Sequence, residues 1–220
     1  MAKLDTNVTE LKENCVHRVV YVGLERGDLI IALARTAAAA GLKVAVSDLS
    51  LSHDLYEAYK DEVDNGIVER GNVTIAKNKV LSDMSEVDLY IEYMGLRNIP
   101  IEEKIEYLIT ACSPNRQAIE AVKRTLTAEY ETRFILLRDY DGKYSVKDIC
   151  HDMQLRDKTL VNAIKCDRRE INNYDSFSRN NAVRLVKAFT TSAPAFTAIA
   201  KDILKMPEKQ LVKVIKKNKV

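Results

Sequence analysis

The chain has 220 residues, room for one sizeable domain or two small ones. With 46% hydrophobic and 30% charged residues its balance is globular, which excludes wholesale disorder. Lys and Arg number 34 against 32 for Asp and Glu, so the net charge of +2 gives no chain-wide basic field for gathering nucleic acid.

No run approaches the roughly 18 to 20 apolar residues of a membrane-spanning helix, and Met1 to Glu13 lacks an apolar signal-peptide core, so a cytoplasmic protein is expected. Cys15, Cys112, Cys150 and Cys166 form no C-x-x-C pair and read as reduced thiols. Cys150, His151 and Cys166 match no common zinc spacing, and no metal is expected.

Val16 to Val22 is a β-branched run ending at Gly23 and predicts a strand. Leu29 to Ala40, with an acid at its start and Gly41 past its end, predicts a helix apolar nearly all round and therefore buried. Lys43 to Ser47 predicts the next strand, completing a βαβ unit. Further along, helices are predicted over Leu55–Val63, Asn115–Glu129, Val146–Met153, Ala182–Phe189 and Ala195–Lys205, with Ser113 or Asn115 as the cap of the second. Strands are predicted over Asn72–Ala76, Val87–Tyr93, Ile105–Ala111, Arg133–Leu137 and Leu160–Lys165. The alternation predicts an α/β fold: a mostly parallel central sheet with helices on both faces. Residues 1–15 form an N-terminal extension, 16–206 the single domain and 207–220 a basic tail.

In such sheets the first strand-to-helix loop is the favoured phosphate site. Here it reads Gly23-Leu24-Glu25-Arg26-Gly27-Asp28-Leu29-Ile30-Ile31-Ala32-Leu33-Ala34. The layout resembles the ParA/MinD family of P-loop ATPases, whose segment runs K-G-G-x-G-K-[ST]-T-L-A. Alignment on Leu33-Ala34 puts Glu25 at the family's signature lysine, and Ile30 and Ile31 at its Walker lysine and magnesium-binding hydroxyl. Asp48-Leu49-Ser50 is similar to the family's D-L-D after the second strand, and Tyr93 stands where the Walker B aspartate would be. Ala111-Cys112-Ser113-Pro114-Asn115 and Cys166-Asp167-Arg168-Arg169 resemble later strand-end segments, so the resemblance covers roughly residues 16–205.

The resemblance implies a P-loop NTPase-like fold, and the substitutions imply a pseudo-ATPase. Phosphoryl transfer needs backbone N–H groups near the phosphates, a lysine and a bound Mg²⁺, whereas this loop offers hydrocarbon and acids. Only seven glycines occur, about half the usual roughly 7%. Asp28 is expected at the N-cap, its carboxylate taking the free N–H groups that elsewhere hold phosphate. Leu29, Ile30 and Ile31 are expected to fill the vestigial site and leave an apolar face for a protein partner, either a second copy or a homologous ATPase. No cofactor is expected. The alternative is an atypical ATP-binding switch, with Mg²⁺, that recruits Arg26, Gly27, Asp48, Asn115 or Arg168.

Other readings are weaker. Asp48 suits a dinucleotide-binding acid, but G-x-G-x-x-G is missing. His17, His53 and His151 belong to no nucleophile pattern. Tyr144 to Leu160 resembles half a helix-turn-helix, but Leu160 to Lys165, where a second helix would stand, is β-like. A helix crossing between two strands is therefore expected, and a DNA-associated role is a distant alternative. Lys201 to Val220 holds seven lysines and two acids. Leu211, Val212, Val214 and Ile215 fall on one helical side with Lys209, Lys213, Lys216 and Lys217 around it, a candidate for weak peripheral membrane contact or partner binding.

Overall fold

The computed structural model describes residues 17–25, 27–60, 65–79, 87–97, 105–124, 130–140, 142, 145–153, 155, 159–165, 167–168 and 193–217. The elements run β1 (His17–Gly23), α1 (Gly27–Ala39), β2 (Val44–Asp48), α2 (Asp54–Tyr59), β3 (Ile67–Arg70), β4 (Val73–Lys77), β5 (Leu89–Gly95) and β6 (Ile105–Cys112). Then come α3 (Arg116–Arg124), β7 (Tyr130–Tyr140), α4 (Val146–Asp152), β8 (Thr159–Lys165), α5 (Ala193–Ile203) and α6 (Glu208–Lys217). The extension 1–15 and the predicted helix 182–189 lie outside the described residues.

One eight-stranded sheet has the order β3-β4-β2-β5-β1-β6-β7-β8, parallel throughout except for the β3–β4 hairpin. β3 is absent from the sequence reading. Its four residues, Ile-Val-Glu-Arg, show no sustained alternation, and the Gly71-Asn72 turn folds them onto β4 with Ile67 opposite Ala76. β1 lies near the centre, with Val19 beside Ile91 on one side and Tyr107 on the other.

Alternate side chains go to opposite faces of the sheet. Val19, Tyr21, Ile91, Tyr93, Ile109 and Phe134 meet α1, α2, α5 and α6 in the main core. On the opposite face Ile135 and Leu137 meet Ile119 and Val122 of α3 and Ile149 of α4. α4 crosses from β7 to the parallel β8, as expected in place of a DNA-reading helix pair.

α1 explains its own boundaries. It is buried from Gly27 through Ala34, and at its end Gly41, at φ 94°, donates its N–H to Ala38 O while Leu42 donates to Ala37 O. That paired closure is the Schellman motif. Five residues after Ala39, β2 begins and runs beside β5.

Candidate functional site

Because β1, β2, β5 and β6 are parallel, their carboxyl ends bring four chain segments to one edge of the sheet. At the end of β1, Gly23 has φ 116°, and a Cβ there would lie 1.9 Å from Ala111 O of β6. Only glycine permits that approach. The Leu24 N–H then donates to Ala111 O at 3.0 Å, and the Tyr21 hydroxyl donates to Leu24 O at 2.6 Å. The loop therefore leaves the sheet pinned to β6.

Glu25 turns back onto its own chain. Its carboxylate accepts the N–H groups of Leu51 at 3.0 Å and Ser52 at 3.2 Å. Burial pulls its pKa upward, but bonds from the Ser52 hydroxyl and the Leu51, Ser52 and Leu96 N–H groups outweigh this and hold it below the ordinary glutamate value. Gly95, at φ 56°, makes room, since a Cβ there would come within 2.5 Å of Glu25 Oε1. The residue at the resembled signature-lysine position thus ties the segments after β2 and β5 to the first loop.

Arg26 lies outside the described residues. Gly27 begins α1 and donates its N–H to Asp54 Oδ2 of α2 at 3.0 Å. A Cβ on Gly27 would stand 2.6 Å from Leu55 Cδ2, so this glycine serves close helix packing. Here the structure corrects the expectation for Asp28. The helix starts at Gly27, two residues before the predicted Leu29, which puts Asp28 inside the first turn and 5% exposed, and the carboxylate at the first helical N–H is Asp54. The expectation for Leu29, Ile30 and Ile31 is corrected too. All three are fully buried in the main core, so they leave no apolar face for a partner. Their neighbours are the sheet and the packed helices, which cover this nearly all-apolar helix through Ala34 and leave Arg35, Ala38 and Ala39 half-buried.

Asp48 is wholly buried at the end of β2. It accepts the Ser50 hydroxyl at 2.6 Å, the Ser50 N–H at 3.2 Å and the Tyr56 N–H at 2.9 Å. Burial raises its pKa, with the charge of Asp54 adding to the effect and the hydrogen bonds opposing it. His53, left-handed at φ 51°, has Nδ1 3.8 Å from Asp48 Oδ1 and donates its backbone N–H to Ser50 Oγ at 3.0 Å. Asp48 therefore organises the β2–α2 loop.

Tyr93 is buried with its ring 5.2 Å from that of Tyr21, so an aromatic pair occupies the resembled Walker B position. The nearest acid on the strand, Glu92, accepts two bonds from Arg18 at 3.0 and 3.1 Å. Asn115 caps α3, its Oδ1 accepting the Ala118 N–H at 2.8 Å and its amide donating to the Ser113 hydroxyl. Arg168 is exposed beyond β8, three strands from β1. β6 and β7 lie between its strand and β1, and among the described residues no hydrogen bond or ion pair links it to the first loop.

The tail folds as α6 and packs on α1 and α5. Leu211 and Val214 are buried in the main core, Val212 and Ile215 are half-buried, and Lys213 is exposed. The side chains of Lys216 and Lys217 lie outside the described residues. The side expected to touch a membrane is thus turned inward, leaving charge as the surface feature. Among the described residues no helix is long and apolar enough to cross a membrane, and no group of three metal-ligating side chains forms. Burial pushes the Cys112 thiol up to about 12. Asp54, Ser52 and Leu96 are the site residues that the sequence reading missed.

Chemically, the edge is partly taken up by its own groups. Two carboxylates, Asp54 and Glu25, take N–H groups from α1 and from the segments after β2 and β5, and the sequence from Gly23 to Asp28 holds no lysine, with Arg26 as its basic residue.

No protein-family model matches the sequence, and no curated protein does. Among solved structures, the fold is similar to that of a protein assigned to plasmid partition from Borrelia burgdorferi B31, bound to AMPPNP, at 11% identity and a TM-score of 0.54, covering 86% of this chain and 97% of that one. It is also similar to apo McdA from Cyanthece, at 11% identity and a TM-score of 0.51, covering 90% of this chain and 100% of that one. With the strand order and the two helical layers, these likenesses establish that the chain has the ParA-like P-loop NTPase fold.

Proposed function

We propose that this chain is a non-catalytic ParA/MinD-like scaffold or adaptor, acting in the cytoplasm and positioning a cellular assembly through protein contacts without ATP turnover. One observation carries this reading: the N–H group that opens α1 is already bonded to the Asp54 carboxylate. Phosphate recognition at a helix start uses those same donors and the positive end of the helix dipole. A nucleotide would have to displace Asp54 and would meet the acids Glu25 and Asp28, with Arg26 but no lysine in the loop to offset them. Ile30 and Ile31, buried in the core, supply neither the cation nor the metal-binding hydroxyl that the resembled motif places there. The neighbour from Borrelia burgdorferi was solved with AMPPNP, which makes nucleotide the ligand to test.

Calorimetric titration of the purified chain with ATP and ADP, each with and without Mg²⁺, tests the reading. Silence at millimolar nucleotide is expected. Saturable heat overturns it and puts an ATP-binding switch in its place.

A further inference from the structure

Among the described residues three large apolar side chains are well exposed: Leu51 at 64%, Leu96 at 65% and Leu160 at 48%. Leu160 lies on β8, at the far side of the sheet from the other two. Leu51 follows β2 and Leu96 follows β5, and both donate their backbone N–H groups to the Glu25 carboxylate. Donors to a carboxylate stand about 3 Å from its oxygens, so the two leucine nitrogens lie within roughly 9 Å of each other. Scattered single leucines are ordinary on a protein surface, whereas two gathered by one buried-side anchor make a patch. The charges at this edge are sorted as well. Glu25, Asp48 and Asp54 are committed to N–H groups of this chain. Arg97, next to Leu96, and Lys79, just beyond β4, are exposed and pair with no acid among the described residues. Since β4 and β5 flank β2 in the sheet, these two cations follow the strands on either side of the one that leads to Leu51.

We propose that Leu51 and Leu96 are the docking point of this face, and that its occupant is a short segment of another protein carrying two large apolar side chains beside aspartate or glutamate. The apolar pair covers the two leucines, and the acids meet Arg97 and Lys79. A segment fits better than a broad globular face, because a patch centred on two leucines falls well short of the roughly 800 Å² per partner that a standard interface buries. Complementary charge at its rim selects acidic partners and rejects basic ones. Glu25 acts here as a positioning residue: through its bonds to Leu51 and Leu96 it holds two loops of different strands in one surface. The apolar partner face thus lies on the loops, where Leu29, Ile30 and Ile31 of α1 are buried. The assignment rests on the scaffold reading, since it names what the scaffold holds.

Random peptides displayed on phage and selected against the purified full chain, without nucleotide, test the proposal. The recovered sequences are expected to share two large apolar residues with Asp or Glu close by. A labelled copy of the strongest binder, followed by fluorescence anisotropy, is expected to lose affinity at least about tenfold on Leu51→Ser and on Leu96→Ser. Both substitutions keep the backbone N–H that bonds Glu25, so the unfolding midpoint stays unchanged. Arg97→Glu, at an exposed position, is expected to weaken the same peptide, and added salt to weaken its binding to the unsubstituted chain. The arginine variant decides the matter if a leucine variant fails to fold. Selection that yields no binder, binders without acids, or a binder indifferent to these substitutions overturns the proposal. So does a chain that self-associates through the two leucines, or one that sediments with phosphatidylserine–phosphatidylcholine vesicles and is released by the same substitutions, since a second copy or a lipid surface is then the occupant. The two readings fail separately: saturable nucleotide heat with peptide binding intact removes the scaffold reading alone, and nucleotide silence with no peptide binding removes this docking point alone.

Discussion

Adjacent strands β1 and β6 each lead through a short loop into a helix, and the two helix starts are secured in opposite ways. α3 is capped locally: Asn115 bonds the N–H of Ala118, three residues on, at an exposed position. α1 is secured from a distance, with Gly27 bonded to Asp54 and Glu25 bonded to Leu51 and Ser52, partners 26 or 27 residues away. A local cap finishes a helix and does little else. A remote carboxylate also fixes where two loops stand relative to each other, and in doing so it uses donors that an external anion would need.

The sharpest way to break this contrast is at the buried side of the same helix. Ile30→Lys combined with Ile31→Thr, which restores the side chains of the resembled motif, places a charge and a hydroxyl in the main core. A loss of about 4 kcal/mol or more is expected, a large part of the roughly 5–15 kcal/mol that holds a domain together. Urea denaturation reads it, and a folded product that gains nucleotide affinity would show that these positions open to a ligand. A smaller effect separates the two caps. Asp54→Ala leaves a buried N–H unsatisfied and is expected to cost about 1–3 kcal/mol, against roughly 0.5–2 kcal/mol for Asn115→Ala. Amide exchange distinguishes them further, since the first change speeds exchange at Gly27 and across the β2–α2 loop while the second frays only α3. Equal costs with equal, local exchange changes would erase the distinction.

The smallest expected effect is on pH dependence. Glu25 titrates below its ordinary value in the folded chain, so its contribution is complete above the unfolded glutamate pKa and is lost as pH falls through the depressed folded one. Glu57, lowered by Lys60 and Lys77, acts in the same direction. Asp48, raised chiefly by burial, has the opposite sign: its contribution is complete below the unfolded aspartate pKa and declines as pH rises through the folded value. Glu25→Gln is therefore expected to flatten the acid limb of the stability curve below about pH 5. Denaturation at a series of pH values checks this, and an unchanged acid limb would mean that the four donors around Glu25 contribute nothing net.

The sheet was legible from its β-branched runs, and α1 from its alanines and Gly41, because those signals are local and repeat at the period of the element. β3 was not, since four residues hold no period and its pairing is made by β4. At the site, the identities at Glu25, Ile30, Ile31 and Tyr93 could be read against a resembled motif, and the burial of α1 followed from its composition. The acceptor at its first N–H could not be read. Asp28 is the nearest acid and looks like a cap, while Asp54 looks like an ordinary first-turn acid of its own short helix. Their exchange of roles is a matter of how α2 lies across the start of α1, information that is absent from any short window of sequence. Leu211 and Val214 show the same limit, since an amphipathic stripe reads alike whether it meets lipid or the protein's own core.

β1, the first strand of the sheet, lies between β5 and β6, whose residues come about 70 to 90 positions later in the chain. During synthesis the first of these neighbours is complete only at residue 95 and the second only at residue 112. A stretch of seven residues with an apolar core therefore waits with both edges open while about a third of the chain is added. At roughly 5–20 residues per second the wait lasts about 4–15 seconds, long compared with hydrophobic collapse. Through that interval the hydrocarbon of Val19 to Val22 has no neighbouring strand of this sheet to lie against, which makes the emerging chain most exposed to wrong pairings there.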